Sequence, residues 1–291
     1  MLQGSYVALV TPFKDGSIDW TALEGLIQFH IENGTNGIVL LGTTAETAGL
    51  ASDEKDALLR FAINKIGGRL PVMIGTGTNN LHQTLAATAK AKEMGADYAL
   101  VITPYYIKPT QNGLLEYFGT IADKVDIPIV MYNVPGRTSI NMAAATTVQL
   151  AKEHANIVGI KEASGNIVQA THIIRDAPEG FVLMSGEDAL NMPLMAIGAK
   201  GIISVTANVA PKLVSELVAS CLKGDFATAA KQHLALAKLN DLMFIETNPI
   251  PAKEALHMMG KIGLEFRSPM CKLIHGNREI LRKGLQEYNI I

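Results

Sequence analysis

Cysteine is nearly absent. The 291 residues hold two, Cys221 and Cys271, far apart and in no CxxC pair, so neither a disulfide framework nor a thiol metal site is on offer. Reduced thiols and a cytoplasmic location are the expectation. A basic excess is missing as well: 25 Lys and Arg stand against 27 Asp and Glu, a net charge of -2. That argues against a nucleic-acid partner, since nothing neutralises a row of phosphates. No apolar run reaches the roughly 18 to 20 residues that a membrane helix needs. The N-terminus lacks a basic flank ahead of an apolar stretch, so the expectation is a soluble, unprocessed chain with no membrane partner. The seven histidines are scattered, with no HxxxH, HxH or Cys/His cluster, so no metal is expected. Thr76-Gly77-Thr78 and Ser185-Gly186-Glu187-Asp188 contain glycine but match neither a phosphate cradle nor a dinucleotide fingerprint, so no cofactor is expected.

What is present is a rhythm. With 48% hydrophobic and 18% charged residues the chain can bury a large core. Short apolar runs alternate with longer segments of helical period, the pattern of repeated βα units. Eight runs read as strands: Tyr6 to Thr11, Gly37 to Gly42, Val72 to Gly75, Tyr98 to Thr103, Ile127 to Tyr132, Ile157 to Lys161, Phe181 to Ser185 and Gly201 to Val205. Between them lie helical segments such as Asp19 to Asn33, Ser52 to Lys65, Asn80 to Met94 and Ala143 to His154, with Asp19 and Ser52 as capping residues. Asn33-Gly34, Met94-Gly95 and Ile197-Gly198 mark helix ends. The expectation is an α/β fold, a (β/α)₈ TIM barrel, with a doubly wound open sheet as the alternative. After Val205 the strands stop. Pro211 to Leu222, Phe226 to Leu239, Pro251 to Met259 and Lys272 to Tyr288 read as helices, with no Pro/Gly/Ser-rich linker between them. The expected division is a catalytic barrel over 1–222 and a C-terminal helical extension over 223–291.

In a parallel barrel, chemistry sits at the C-terminal ends of the strands. There Ile157-Val158-Gly159-Ile160-Lys161 ends on a lysine, Ile127-Pro128-Ile129-Val130-Met131-Tyr132 on a tyrosine, and Gly37 to Gly42 on Thr43-Thr44. A lysine among apolar side chains loses hydration of its ammonium, and the free amine is then a nucleophile able to form a Schiff base with a ketone. The competing reading is a lysine reaching to solvent or paired with Glu162. Gly159 leaves room beneath the lysine stem if it shares an inward face with it. Tyr132 is either a proton relay or a packed ring with its hydroxyl in water. Thr43 and Thr44 either hydrogen-bond a substrate carboxylate and relay a proton or serve the loop and a helix cap. Arg137, in the loop Asn133-Val134-Pro135-Gly136-Arg137-Thr138, either forks onto a carboxylate or is a solvated loop arginine. Pro104-Tyr105-Tyr106 forms pocket wall or subunit contact.

Together these runs resemble the dihydrodipicolinate synthase and N-acetylneuraminate lyase family of class I aldolases. The matching stretches are Gly42 to Thr47 (GTTAET), Thr103 to Tyr106 (TPYY), Tyr132 to Thr138 (YNVPGRT), Ile157 to Gly165 (IVGIKEASG), Ser185 to Ala189 (SGEDA) and Gly201 to Asn208 (GIISVTAN), spread over nearly the whole chain. The resemblance implies an imine between Lys161 and pyruvate. It implies a proton relay of Thr43, Tyr132 and Tyr106, the last reaching a neighbouring subunit's site in a homotetramer built from dimers. It further implies that Thr44 binds the pyruvate carboxylate and that Gly186 and Ile203 line the pocket through backbone groups.

Arg137 stands where the synthase branch holds the carboxylate of L-aspartate 4-semialdehyde, and sialic-acid lyases lack it. The implied reaction is the condensation of pyruvate with that aldehyde to 4-hydroxy-tetrahydrodipicolinate, the opening step of lysine biosynthesis. The alternatives are another pyruvate-dependent aldolase or lyase, such as N-acetylneuraminate lyase or a 2-keto-3-deoxy sugar-acid aldolase, and a barrel that has lost catalysis and serves in binding or regulation. Lysine inhibits many of these synthases at positions matching Thr47, Ala48, Ser52, Lys55, Asn79, Gln83 and Tyr105. Inhibited enzymes carry two histidines and a glutamate where this chain has Ser52, Lys55 and Gln83, so weak or absent inhibition is expected. Ala45 replaces the family's usual glycine, which implies ordinary φ there.

Overall fold

Short β-branched runs become strands where both of their faces can be buried. In the computed structural model, which describes residues 2–291, the strands are β1 (Gly4–Ala8), β2 (Gly37–Leu40), β3 (Val72–Gly75), β4 (Tyr98–Ile102), β5 (Ile129–Asn133), β6 (Ile157–Glu162), β7 (Val182–Ser185) and β8 (Gly201–Ser204). They form a closed barrel in the order β1-β8-β7-β6-β5-β4-β3-β2. The (β/α)₈ expectation holds, and the open sheet does not.

The strand ends differ from the expected ones for local reasons. β5 starts at Ile129 and not Ile127, because Pro128 has no N–H to give to a ladder. β5 and β6 each run one residue further than expected, since Asn133 and Glu162 still pair with each other. β1 spans Gly4–Ala8, not Tyr6 to Thr11, and beyond Leu9 the ladder gives way to a side chain: the Val10 N–H donates to Asn208 Oδ1 at 3.1 Å. β2, β4 and β8 stop short of Gly42, Thr103 and Val205, and β7 starts after Phe181.

Helices form where expected, with one correction. Asp19 caps Trp20–Glu32 by accepting from Ala22 N at 3.0 Å, and Asn80 caps Leu81–Glu93 in the same way. Ser52 is no cap. It is the first helical residue of Ser52–Ile66, and Glu54 reaches back to accept from Ala51 N at 3.0 Å. Gly34, Gly95 and Gly198, at φ 79, 83 and 120°, end their helices in conformations that a β-carbon disfavours. Helices Gln111–Lys124 and Ile167–Asp176 and a two-stranded ribbon of Phe13–Lys14 with Ser17–Ile18 add to those expected. After β8 come Pro211–Leu222, Phe226–Leu242, Ile250–Met258 and His275–Glu287. Among the described residues, no helix is long and apolar enough to cross a membrane.

The chain divides into two compact units. In the unit Val72–Ile203, which also takes in the first few residues, β3 to β7 pair in sequence order. Its core is apolar, with Ile74, Val101, Val130, Met131, Ile160 and Met184 all buried. The second unit, Ser5–Pro71 with Ser204–Ile291, joins the two ends of the chain. Asn208 is its clasp: Nδ2 donates to Ala8 O at 2.8 Å while Oδ1 takes the Val10 N–H. Gly37 is required here, since a β-carbon would stand 2.1 Å from the Tyr6 ring.

Candidate active site

β5, β6 and β7 run side by side, and their register decides which strand-end residues meet. Tyr132 pairs with Lys161, and Lys161 with Met184. The Lys161 side chain is 7% exposed, and its Nζ stands 4.2 Å from the centroid of the Tyr132 ring. The nitrogen of Lys161 thus lies over the face of the Tyr132 ring, with both residues largely out of water. Of the two bland readings for Lys161, reaching to solvent fails on burial. Pairing with Glu162 fails on strand alternation, which sends consecutive side chains to opposite faces. Glu162, also buried, accepts instead from Ser164 N (2.7 Å), Gln169 Nε2 (3.1 Å) and Asn133 Nδ2 (3.1 Å).

That carboxylate network was not foreseen from the residues, although Asn133 and Glu162 directly follow Tyr132 and Lys161. Asn133 also donates to Asn141 Oδ1 at 2.8 Å and accepts from Met142 N at 2.9 Å. The two strands that deliver phenol and amine are thus fastened at their ends from the opposite face.

Gly159 corrects the sequence reading. A β-carbon there would meet the Val182 carbonyl at 2.5 Å and Leu2 Cδ2 at 3.2 Å, so this glycine admits the neighbouring strand and not the lysine stem. Room for the stem comes from Gly186, where a β-carbon would lie 2.8 Å from Ala163 Cβ and 2.9 Å from both Cγ and Cε of Lys161. The adjoining Glu187 was likewise passed over. Burial raises the pKa of its carboxyl, Asp188 beside it acts in the same direction, and the nearby Lys161 opposes them.

The other candidates of this unit are spread more widely. Arg137 lies exposed in a short helix, Pro135–Thr138, that proline opens. Tyr106 is 86% exposed at φ 72°, bracketed by a Tyr105 O to Ile107 N bond of 2.9 Å, so the loop holds the ring out in water. It is not brought to Lys161 of its own chain. Ile203 is buried in β8. Asn79 is half-buried, and Gln83 and Tyr105 are exposed.

In the second unit, Thr43–Ala45 form a single 3-10 turn after β2. Thr43 is exposed and Thr44 buried. Ala45 has ordinary φ, and the left-handed residue is Glu46, at φ 54°. The turn is gripped from several sides. Thr47 Oγ1 donates to Gly42 O (2.8 Å), Thr11 Oγ1 to Ala45 O (2.8 Å), and Asn248 Nδ2 to Thr44 Oγ1 (3.0 Å). Glu46 pairs with Lys253 at 2.5 Å and accepts from Arg267 N at 2.8 Å. Ala48 and Ser52 are exposed, and Thr47 and Lys55 half-buried. Among the described residues, no group of three or more His, Cys, Asp or Glu side chains is arranged to hold a metal ion.

A sequence model of the dihydrodipicolinate synthetase family matches residues 1–288. The chain belongs to that family. Within it, the 4-hydroxy-tetrahydrodipicolinate synthase of Thermodesulfovibrio yellowstonii is 48% identical over 291 residues, covering 100% of both chains. The crystal structure of dihydrodipicolinate synthase from Aquifex aeolicus superposes with a TM-score of 0.98 at 47% identity, covering 99% of each chain. The chloride-inhibited dihydrodipicolinate synthase of Acinetobacter baumannii, solved in complex with pyruvate, superposes with a TM-score of 0.98 at 43% identity over 100% of both chains. The barrel and the family membership expected from the motifs are therefore shown.

Proposed function

We propose that this chain condenses pyruvate with L-aspartate 4-semialdehyde to 4-hydroxy-tetrahydrodipicolinate through a Schiff base on Lys161. The observation that carries the proposal is the buried Lys161 amine at the end of β6, 4.2 Å from the Tyr132 ring centroid, in a chain of this family. The amine attacks the keto carbon of pyruvate, and the keto oxygen takes up protons and leaves as water, giving the imine. Loss of a methyl proton gives the enamine, whose carbon adds to the aldehyde. The amino group of the second substrate then displaces the lysine as the ring closes, returning Lys161 to its starting state.

Each of those proton movements needs a carrier within reach. Tyr132, Thr43 and a neighbour's Tyr106 are the proposed relay, the last because it stands exposed on its own chain. Thr44 is proposed to hold the pyruvate carboxylate, with backbone groups of Gly186 and Ile203 beside it. Arg137 is proposed to fork onto the carboxylate of the aldehyde. A shared site calls for an oligomer, and a homotetramer of dimers is the proposed assembly. We retain 1–222 as catalytic barrel, 223–291 as helical extension and the cytoplasm as the compartment.

One assay separates this reading from its relatives: pyruvate consumption with L-aspartate 4-semialdehyde, run beside cleavage of N-acetylneuraminate and of 2-keto-3-deoxy sugar acids. Turnover confined to the first supports the proposal, and cleavage of a sugar acid at comparable rate overturns it. In the same assay Arg137→Ala should raise KM for the aldehyde by roughly ten- to a hundredfold, the scale of a lost charge-assisted contact. Trapping of pyruvate should be untouched. Inhibition by lysine is proposed to be weak or absent: Asn79 and Tyr105 still match the family's effector positions, but Ser52, Lys55 and the neutral Gln83 stand where inhibited members carry two histidines and a glutamate, which leaves a cationic effector without its ionic partner. Half-inhibition by lysine at or below about 1 mM, roughly 4 kcal/mol of binding, speaks against that.

Gly186 offers a sharper test of geometry. A methyl group at Gly186 would meet Ala163 Cβ at 2.8 Å and the lysine stem at 2.9 Å, so both the stem and the backbone at Ala163, two residues beyond Lys161, must give way. Misplacing a reacting atom by about 1 Å costs on the order of 100-fold in rate. Gly186→Ala should therefore slow reductive trapping of pyruvate by about that factor, with a modest fall in Tm from the contact with Ala163. Trapping at the wild-type rate would show that the stem has space to spare.

A further inference from the structure

The Thr44 hydroxyl has one hydrogen to give and two lone pairs to offer. Asn248 Nδ2 fills one lone pair at 3.0 Å, and both side chains are buried, at 2 and 4% exposure. Among the described residues, that is the one hydrogen bond of the Thr44 hydroxyl. A hydroxyl that accepts from an amide keeps its own hydrogen for an acceptor outside the chain. The residue that supplies the amide lies 204 positions away, at the start of the segment leading into Ile250–Met258.

The contact is not isolated. The same helix carries Lys253, which pairs with Glu46 two residues beyond Thr44 in the turn. Thr44 and Glu46, in the turn and at its cap, are thus each held by the one C-terminal segment, once through a neutral donor and once through an ion pair. The pair fixes where the turn sits. The amide fixes which way the hydroxyl of Thr44 points.

We infer that Asn248 is a positioning residue for the pyruvate carboxylate, acting through Thr44. It presets the threonine as a donor, so that the carboxylate meets an oriented O–H and not a rotor that must first be ordered. The inference rests on the proposed reading of Thr44 as a carboxylate ligand. It adds that a side chain from the C-terminal helices, outside every motif of the family resemblance, sets the affinity for the first substrate.

The experiment is borohydride trapping of pyruvate alone, with the pyruvate concentration for half-maximal labelling as readout, on wild type, Asn248→Ala, Asn248→Asp, Thr44→Val and Thr44→Val with Asn248→Ala. Asn248→Ala should raise that concentration about tenfold, the scale of one oriented hydrogen bond. Asn248→Asp, nearly isosteric and so folded even if the alanine variant is not, should raise it further. Its carboxylate takes the Thr44 hydrogen for itself and sets a like charge near the substrate's. In the Thr44→Val background, Asn248→Ala should add nothing, which a merely structural role would not produce. Half-maximal labelling unchanged in Asn248→Asp, or losses from Thr44→Val and Asn248→Ala that multiply, overturns the inference and leaves the Schiff-base reading standing. A wild-type chain that traps no pyruvate overturns the reading beneath it.

Discussion

Lys161→Ala is expected to take borohydride-trapped pyruvate from one adduct per subunit to none and to lower the condensation rate by roughly 1,000-fold or more, the scale on which loss of a nucleophile is felt. The fold should hardly notice. The Lys161 nitrogen's contact is with the Tyr132 ring, and the strand itself is held by ladders to β5 and β7 and by the Glu162 carboxylate on its other face. Thermal unfolding should shift little. Lys161→Arg sharpens the result, because arginine keeps charge and reach but does not give up its proton, and so cannot attack a ketone. It should be as inactive as the alanine variant if the amine is the nucleophile, and partly active if the lysine serves only as a cation. Peptide mapping of the reduced wild-type adduct decides the position, and label on any other lysine would remove Lys161 from the chemistry.

Much of this was legible in the chain because it is a matter of short-range pattern. A β-branched run that ends on lysine announces a buried strand and a charged tip, and eight such runs with helices between them announce a barrel. What the chain does not spell out is register. Nothing in the spacing from Tyr132 to Lys161 says that they stand directly across a ladder, yet that pairing brings amine and ring together. The glycines show the same limit. Gly159 and Gly186 look alike in sequence, and only the packing says that the first admits a strand and the second a lysine stem. Ser52 looked like a cap because serine often is one, whereas Glu54 reaching back to Ala51 did the work. Least legible were the partners of the threonine turn, since Asn248 and Lys253 lie more than two hundred positions from it. Only folding brings them near.

The second large effect follows from that distant partnership. Lys253 is 0% and Glu46 2% exposed at the side chain, with Nζ and Oε1 2.5 Å apart. The ammonium also lies 4.3 Å from the ring centroid of Phe13 and 4.9 Å from that of Phe266. Burial pulls the Lys253 pKa down and Glu46 pulls it back up, so each charge is tolerated because the other is there. Removing one partner leaves an uncompensated charge in the interior, at a cost of about 3 to 5 kcal/mol. Lys253→Met keeps the apolar stem against the two rings but strands the carboxylate with only the Arg267 N–H. Glu46→Gln keeps the left-handed backbone and the side-chain length but strands the ammonium. Each single variant should lose on the order of 10 °C in Tm. Because the two effects share one cause, the double variant should be more stable than either single one, as expected when both charges of a buried pair go together. Chemical and thermal unfolding of the four proteins measures this directly. Single variants within about 0.5 kcal/mol of wild type, or a double variant that sums the two losses, would mean that water reaches the pair and that the turn carrying Thr43 and Thr44 is held by its hydrogen bonds alone.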